Sequence, residues 1–343
     1  MNQKTFRAAV IGCGGISHVH IAALKNMPQV EIAAVCDIRP DRLQEAAEAT
    51  GAKAYTDWEE VVALPDIDVI HICLPHYLHT PVAVKALGLG KNVLCEKPLS
   101  TTFEGAKQMI EASEKPGAGT FGVIFQNRYN PSVAAAKAII DSGEMGALTG
   151  ICASVCWKRE GAYYTESGWR GDSVTEGAGT LINQSIHTLD LLTYLGGPLV
   201  RVRGSVFTGL NEGIINVEDN AMAVAMYESG ARALIHTSNN NAVSAPIEMD
   251  IYLENGSLKM FGPKLYKVEN QELHLVSAGD DRAVVGKAVW GTGHAAELED
   301  YYACLAEGRP FPIDGRSAFP ALSLVLSIIR SSREGSWVEL PRL

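Results

Sequence analysis

The segment Val10-Ile11-Gly12-Cys13-Gly14-Gly15-Ile16-Ser17 constrains the fold of this chain more than any other. A β-rich apolar run, Phe6 to Ile11, leads into it, and a helical pattern through His20 to Met27 leads out, so the glycines sit on a strand-to-helix turn. The pattern is G-x-G-x-x-S, with Ser17 in place of a third glycine. Gly12 permits a tight turn and Gly14 lets the backbone approach a pyrophosphate. The helix start at Gly15 and Ile16 then supplies N–H groups and the positive end of a dipole. Asp37 closes a second strand, Val30 to Cys36, where a carboxylate can accept hydrogen bonds from an adenosine ribose and repel a 2′-phosphate. This favours NAD over NADP, with Ile38 and Arg39 as neighbouring contacts and Arg39 softening the preference.

The strand–helix cycle then repeats. Pro40 to Thr50 reads as a helix, Ala54 to Tyr55 as a short strand and Val69 to Leu74 as a buried strand. Thr80 and Pro81 supply an N-cap and an N1 proline for a helix to about Leu89, and Asn92 to Cys95 follows as a strand. Strands joined by helices predict a parallel sheet with right-handed crossovers, a doubly wound Rossmann-type α/β domain over residues 1–125. Apolar alternation takes over in Leu148 to Trp157, Ala221 to Tyr227 and Ala231 to His236. Turns are predicted at Glu228-Ser229-Gly230 and at Asn255-Gly256, between Glu248 to Leu253 and Ser257 to Phe261. With helices over Pro131 to Ser142 and Leu181 to Leu195, residues 126–290 read as a C-terminal α+β domain with an open, mainly antiparallel sheet. Residues 291–343 are helical and are placed back against the first domain.

The length of 343 residues suits two domains, and 47% hydrophobic with 20% charged residues excludes global disorder. A formal charge of −10 with no basic cluster argues against nucleic acid and anionic membranes as partners. No run of roughly 18 uncharged apolar residues occurs, and the polar start Met1 to Arg7 leads into no secretory h-region, so a cytoplasmic location is expected. The seven cysteines include no CxxC, which points to buried apolar packing and away from disulfides or zinc. His76, His236 and His294 have no ligand spacing, and no metal is expected.

Lys97 follows the strand ending at Cys95, beside Glu96, at the carboxyl end where open α/β sheets bind ligands. Partly desolvated there, it could exchange a proton with a substrate hydroxyl, or simply pair with Glu96 in solvent. On a continuous helix at about 100° per residue, Asn183, His187, Asp190 and Tyr194 share one face and Ile182, Ile186 and Leu189 point elsewhere. Asp190 is a candidate to orient His187, with capping or packing as the alternative.

The glycine turn, Asp37, the segment Leu74-Pro75-His76-Tyr77-Leu78-His79 and above all Glu96-Lys97-Pro98 resemble the Gfo/Idh/MocA family of sugar and cyclitol oxidoreductases. The resemblance runs on through Trp169-Arg170-Gly171, Gly177-Ala178-Gly179, the Asn183 to His187 spacing, Gly293-His294 and Glu307-Gly308-Arg309-Pro310, essentially the whole chain. It implies an active site between a nucleotide domain and an open sheet domain whose face forms the oligomer interface, giving a homodimer or homotetramer. It also implies that Lys97 is the catalytic lysine and that Leu74, Pro75, His79 and Glu96 line the cofactor site, His79 near the nicotinamide. Trp169 and Arg170 reach toward the cofactor, and His187 is the catalytic histidine. The family commonly carries Asp four residues before that histidine; this chain has Asn183, which cannot ionise.

Lys158, Tyr163 and Tyr164, on a loop rich in aromatic and cationic groups, are candidate substrate contacts together with Lys97, Asn183 and His187. The expected function is hydride transfer between NAD and a secondary hydroxyl or ketone of a sugar, glycoside or cyclitol, with Lys97 and His187 handling the proton. One alternative is glycoside cleavage through transient C3 oxidation by bound NAD, elimination and hydration. Another is a non-catalytic NAD(H) sensor.

Overall fold

A computed structural model describes residues 5–279 and 293–343 of the chain. Two compact units emerge, one from described residues 5–125 and 293–318 and the other from 126–279 and Phe319–Leu343. In the first, β1 (Phe6–Ile11), α1 (Ser17–Lys25), β2 (Val30–Cys36), α2 (Pro40–Thr50), β3 (Lys53–Tyr55) and α3 (Trp58–Ala63) are followed by β4 (Val69–Ile72), α4 (His79–Gly88), β5 (Asn92–Cys95), α5 (Phe103–Ser113) and β6 (Phe121–Val123). All strand pairs are parallel, in the order β3-β2-β1-β4-β5-β6. This is the doubly wound order, with its reversal between β1 and β4. Every residue of β4 is buried, and in β1 only Arg7 is not, as expected for parallel strands covered by helices on both faces.

The second unit contains α6 (Pro131–Ser142), β7 (Leu148–Cys156), α7 (Gly161–Thr165), α8 (Thr180–Asn183), α9 (Ile186–Gly196), β8 (Leu199–Phe207), β9 (Asn220–Tyr227), β10 (Arg232–Ser238), β11 (Glu248–Leu253), β12 (Gly256–Phe261), β13 (Lys264–Glu269) and β14 (Glu272–Ser277). Its strands alternate, inward residues buried and outward ones exposed, because helices cover only one face. Both hairpins read from the sequence form: β9 pairs antiparallel with β10 and β11 with β12. The pairing of β7 with β10 is parallel, so the sheet is mixed and mostly antiparallel.

The tail divides. Helices α10 (Gly293–Glu307) and α11 (Gly315–Glu334) and strand β15 (Val338–Glu339) follow, and the split between units falls inside α11. Residues 319–343 therefore do not follow the first domain, contrary to the sequence reading of residues 291–343; the expected boundary at 290/291 lies outside the described residues. The cause is the edge of β8, whose N–H groups need partners. Ser331 Oγ accepts from Gly204 N–H at 3.0 Å, Ser332 Oγ accepts from Val206 N–H at 2.9 Å, and β15 pairs Val338 with Val202. Together these complete a nine-stranded sheet, β14-β13-β12-β11-β7-β10-β9-β8-β15.

Candidate active site

At the end of β1, Gly12 has φ +93°, and a Cβ there would lie 2.5 Å from the Cys73 carbonyl oxygen, so the turn closes against the end of β4 only with glycine. A Cβ on Gly14 would meet only the Arg42 guanidinium at 3.7 Å, and one on Gly15 would meet nothing within 4 Å. The backbone is therefore open to a ligand where α1 begins, and α1 has no side-chain cap. Asp37 fixes the turn from β2. Its Oδ2 accepts from Cys13 N–H at 2.7 Å and its Oδ1 from Arg39 N–H at 2.8 Å, leaving lone-pair capacity for ribose hydroxyls. Ile38 is 85% exposed beside it, and Arg39 is engaged with Asp41 at 2.8 Å. These residues fit a dinucleotide.

Lys97 is half-buried immediately after β5, and its N–H donates to Glu96 Oε2 at 3.2 Å. Glu96 heads a buried chain. Its Oε1 lies 3.0 Å from His20 Nε2, His20 Nδ1 lies 3.0 Å from His71 Nδ1, and His71 Nε2 lies 2.8 Å from the Tyr302 hydroxyl. With both imidazoles neutral, one arrangement satisfies every contact: Tyr302 donates to His71, His71 to His20 and His20 to Glu96. Burial alone would raise Glu96, but His20 and His294, the latter at 3.6 Å, hold its carboxyl well below the usual range. Burial keeps His71 well below the ordinary histidine value, and a proton on His20 would act in the same direction.

His79 is buried between two carbonyls, with Nδ1 2.8 Å from Pro98 O and Nε2 2.9 Å from Leu74 O. Burial lowers its pKa against the pull of both carbonyls. Its ring thus ties the loop after β4, which carries Leu74 and Pro75, to the loop after β5.

In the second unit the predicted helix Leu181 to Leu195 is interrupted at Gln184 and Ser185, which separate α8 from α9. Of residues 181–190, only Asn183 and His187 are not buried. Of the four-residue polar face Asp190 is therefore lost to the interior, and Asn183, His187 and Tyr194 remain partly exposed. Asp190 is fully buried, and its carboxylate binds Arg128 through two contacts of 2.6 and 2.8 Å; the Arg128 guanidinium also lies 5.0 Å over the Tyr194 ring. Asp190 thus has the packing role weighed above, and Gln126 is a side chain within reach of His187, with Nε2 3.4 Å from His187 Nε2.

Asn183 is held from below. Glu218 caps its short helix, accepting from Gly179 N–H at 2.9 Å and Leu181 N–H at 3.0 Å. A Cβ on Gly179 would lie 1.8 Å from the Glu218 carbonyl oxygen, which explains a glycine there. The Asn183 amide nitrogen donates to Glu176 Oε1.

The loop after β7 separates its candidates. Lys158 is surface-exposed and paired with Glu160 at 2.6 Å. Tyr163 stands under the Arg170 guanidinium, 4.5 Å from the ring centre, and its hydroxyl accepts from Gln184 at 2.9 Å. Tyr164 is 3% exposed and its hydroxyl accepts from Asn239 at 2.9 Å, so it packs the loop instead of offering the expected substrate contact. Arg170 also lies 5.0 Å over Trp169. His76 lies 5.7 Å from His79 between ring centres, and His236 sits on β10, 3.5 Å from Cys156 Sγ. Among the described residues no group of three or more His, Cys, Asp or Glu side chains is arranged to hold a metal.

The sequence reading missed three participants, Glu176, Gln126 and His20. Glu176 carries the clearest signal, a carboxylate directly before Gly177-Ala178-Gly179. Burial pushes its pKa up to about 7, against Asn183, the Gly171 N–H and Arg170, which favour the charged form.

Two family models match the chain. Residues 6–123 match one described as an oxidoreductase family with an NAD-binding Rossmann fold, and residues 133–259 match the GFO/IDH/MocA C-terminal domain. Levoglucosan dehydrogenase of Pseudarthrobacter phenanthrenivorans is 24% identical over 99% of this chain and 100% of its own. Inositol 2-dehydrogenase of Salmonella typhimurium is 39% identical over 41% of this chain and 43% of that protein. The crystal structure of the WlbA dehydrogenase from Bordetella pertussis, in complex with NADH and UDP-GlcNAcA, superposes with TM-score 0.89 at 27% identity over 99% of both chains.

Proposed function

The chain belongs to the GFO/IDH/MocA family of oxidoreductases, and from that premise we propose that it interconverts a secondary hydroxyl and a ketone on a sugar, glycoside or cyclitol. The observation that carries the reading is the pairing of an open glycine turn closed by Asp37 with a lysine supported at the end of β5. Bound in that turn, NAD supplies the two-electron hydride acceptor, and its reduced form the donor.

The chain's own residues bind, orient and move the proton. With NAD bound, the start of α1 and the Gly14 backbone would hold the pyrophosphate, Asp37 the ribose hydroxyls and Ile38 the adenine. Leu74, Pro75 and His79 shape the nicotinamide side, with Trp169 and Arg170 as further contacts. Lys97 Nζ accepts the hydroxyl proton in oxidation and returns it in reduction. His187 supports that transfer, and Asn183 orients the substrate oxygen. Lys158 and Tyr163 are the remaining substrate contacts.

The sheet face turned away from α6 and α9 carries exposed Met222, Leu234, Tyr252, Phe261, Leu273 and Leu275 on one side of the paired strands. An apolar face of this kind suits burial against a second copy, as a homodimer or homotetramer. Leu234→Glu would then lower the mass measured by light scattering. All seven cysteines are unpaired, which suits the reducing cytoplasm.

The test is incubation with NAD or NADP and a panel of sugars, glycosides and inositols, following absorbance of the reduced nicotinamide. The reading expects reduction with at least one member, faster with NAD. Release of aglycone from an aryl glycoside with no net NADH would replace it with a redox-neutral cleavage.

A further inference from the structure

Arg128 shows how this fold holds a guanidinium out of bulk water. It lies 5.0 Å over the Tyr194 ring, and its N–H groups bind the Asp190 carboxylate through contacts of 2.8 and 2.6 Å. Two further arginines lie over rings without the carboxylate. The Arg159 guanidinium is 5.0 Å from the centre of the Trp157 ring and 5.2 Å from that of Tyr163, and the Arg170 guanidinium is 4.5 Å from Tyr163 and 5.0 Å from Trp169. Trp157, Arg159, Tyr163, Arg170 and Trp169 thus form one alternating run of rings and cations. Contact with an aromatic face fixes a planar cation in place while leaving its N–H groups to a carboxylate or phosphate.

The neighbouring acids are engaged elsewhere. Glu160 pairs with Lys158 at 2.6 Å, and Glu176 accepts from the Gly171 N–H and the Asn183 amide nitrogen. Among the described residues no carboxylate forms an ion pair with Arg159 or Arg170, and Arg159 Nη1 donates to the Lys158 carbonyl at 2.7 Å. Arg159 Nε, Arg170 Nε and the indole Nε1 of Trp157 are buried without a hydrogen-bond partner. Among the described residues, these are the only side-chain atoms left so that can do nothing but donate. Each adds positive potential that no acceptor in the chain offsets, on a protein whose formal charge is −10.

We propose that the substrate carries an anionic group, a carboxylate or a phosphate, and that Arg159 binds it. The proposal rests on the dehydrogenase reading above and narrows its substrate class to an acidic sugar or cyclitol. The run reaches the candidate site through Tyr163, whose hydroxyl accepts from Gln184, the residue after Asn183. Arg170 is assigned to the cofactor, which leaves Arg159 to the substrate. Because Arg159 Nε is buried, the anion meets the outer Nη1 and Nη2, whose four N–H groups exceed the one given to Lys158. The anion takes at Arg159 the part that Asp190 plays at Arg128. It is a specificity contact, separate from the hydroxyl whose proton goes to Lys97.

The experiment follows NADH formation with matched substrates: D-glucose, D-glucuronate and D-glucose 6-phosphate, the corresponding galactose series, and myo-inositol with its monophosphates. It compares the wild type with Arg159→Gln and Arg159→Lys, and NADH binding by fluorescence reports whether each variant is folded. In at least one series the acidic member should exceed the neutral one in kcat/KM by roughly tenfold or more, and whether the uronate or the phosphate is preferred identifies the anion. Added NaCl should raise KM for the acidic member and leave that of the neutral one unchanged. Arg159→Gln should shrink the acidic-to-neutral ratio by roughly 10- to 100-fold, chiefly through KM, and Arg159→Lys should keep part of it. The wild-type comparison needs no variant to fold. Neutral members turned over as well as their acidic counterparts in every series, or an unchanged ratio in folded Arg159→Gln, overturns the proposal and leaves the dehydrogenase reading intact. Reduction of NAD with no member of any series overturns that reading, and the proposal with it.

Discussion

His20 Nε2 lies 3.0 Å from Glu96 Oε1, both side chains are buried, and the other oxygen of Glu96 accepts from the Lys97 N–H at 3.2 Å. The first helix after the glycine turn is thereby tied to the strand end that carries the candidate base. Removing the acceptor of a buried hydrogen bond leaves its donor unsatisfied, typically at a cost of about 1–3 kcal/mol. Glu96→Ala should destabilise the protein by about that amount in urea unfolding. A loss below about 1 kcal/mol would show that the chain from Tyr302 to Glu96 contributes little.

His71 and His79 are held neutral in the fold by burial, below the ordinary histidine value of 6.5. A group with a lowered folded pKa takes up its proton first in the unfolded chain. Stability is therefore fully present above 6.5 and declines as pH falls from there toward the folded values, by up to about 1.4 kcal/mol per pH unit for each group. Glu96, also lowered, has its own window below 4.5. Unfolding midpoints measured between pH 7.5 and 5.5 should fall, with a shallower slope in His71→Asn; equal slopes would contradict this.

Glu176 acts in the opposite sense. Raised from 4.5 to about 7, it binds its proton more tightly folded than unfolded, so its contribution is fully present below 4.5 and is lost as pH rises through about 7. That difference corresponds to roughly 3 kcal/mol. Glu176→Gln should therefore gain stability relative to the wild type on moving from pH 5 to pH 8, read from melting temperatures at both. A constant difference would mean that the carboxyl is ionised throughout.

Asp190 separates packing from catalysis. Its two contacts with Arg128 are buried, so Asp190→Ala should cost about 3–5 kcal/mol while leaving the pH profile of turnover unchanged in shape. A shifted profile with little loss of stability would return Asp190 to orienting His187.

Much of this was legible in the residues. Strand–helix alternation and the glycine turn with Asp37 specify the parallel sheet, because local periodicity and a backbone demand at Gly12 are both written in sequence. The Asn183 and His187 pair also emerges, since their spacing survives the break at Gln184. What periodicity misreads is set by distant partners. Asp190 looks like part of the polar face but is taken by Arg128, 62 residues away. Tyr164 looks like a substrate contact but is taken by Asn239, and the tail is drawn to the β8 edge by Ser331, Ser332 and β15. Glu176 escaped notice because its significance lies in burial, which a single carboxylate beside glycines does not announce.

The central claim is that Lys97 handles the substrate proton in an NAD-linked oxidation, and the most direct measurement compares the wild type with Lys97→Met. NADH binding is followed by fluorescence, and NADH formation on the best substrate of the panel by absorbance. The account predicts retained NADH binding with kcat lowered by roughly 100-fold or more, the usual contribution of a positioned acid–base group. Turnover within a few-fold of the wild type would contradict it.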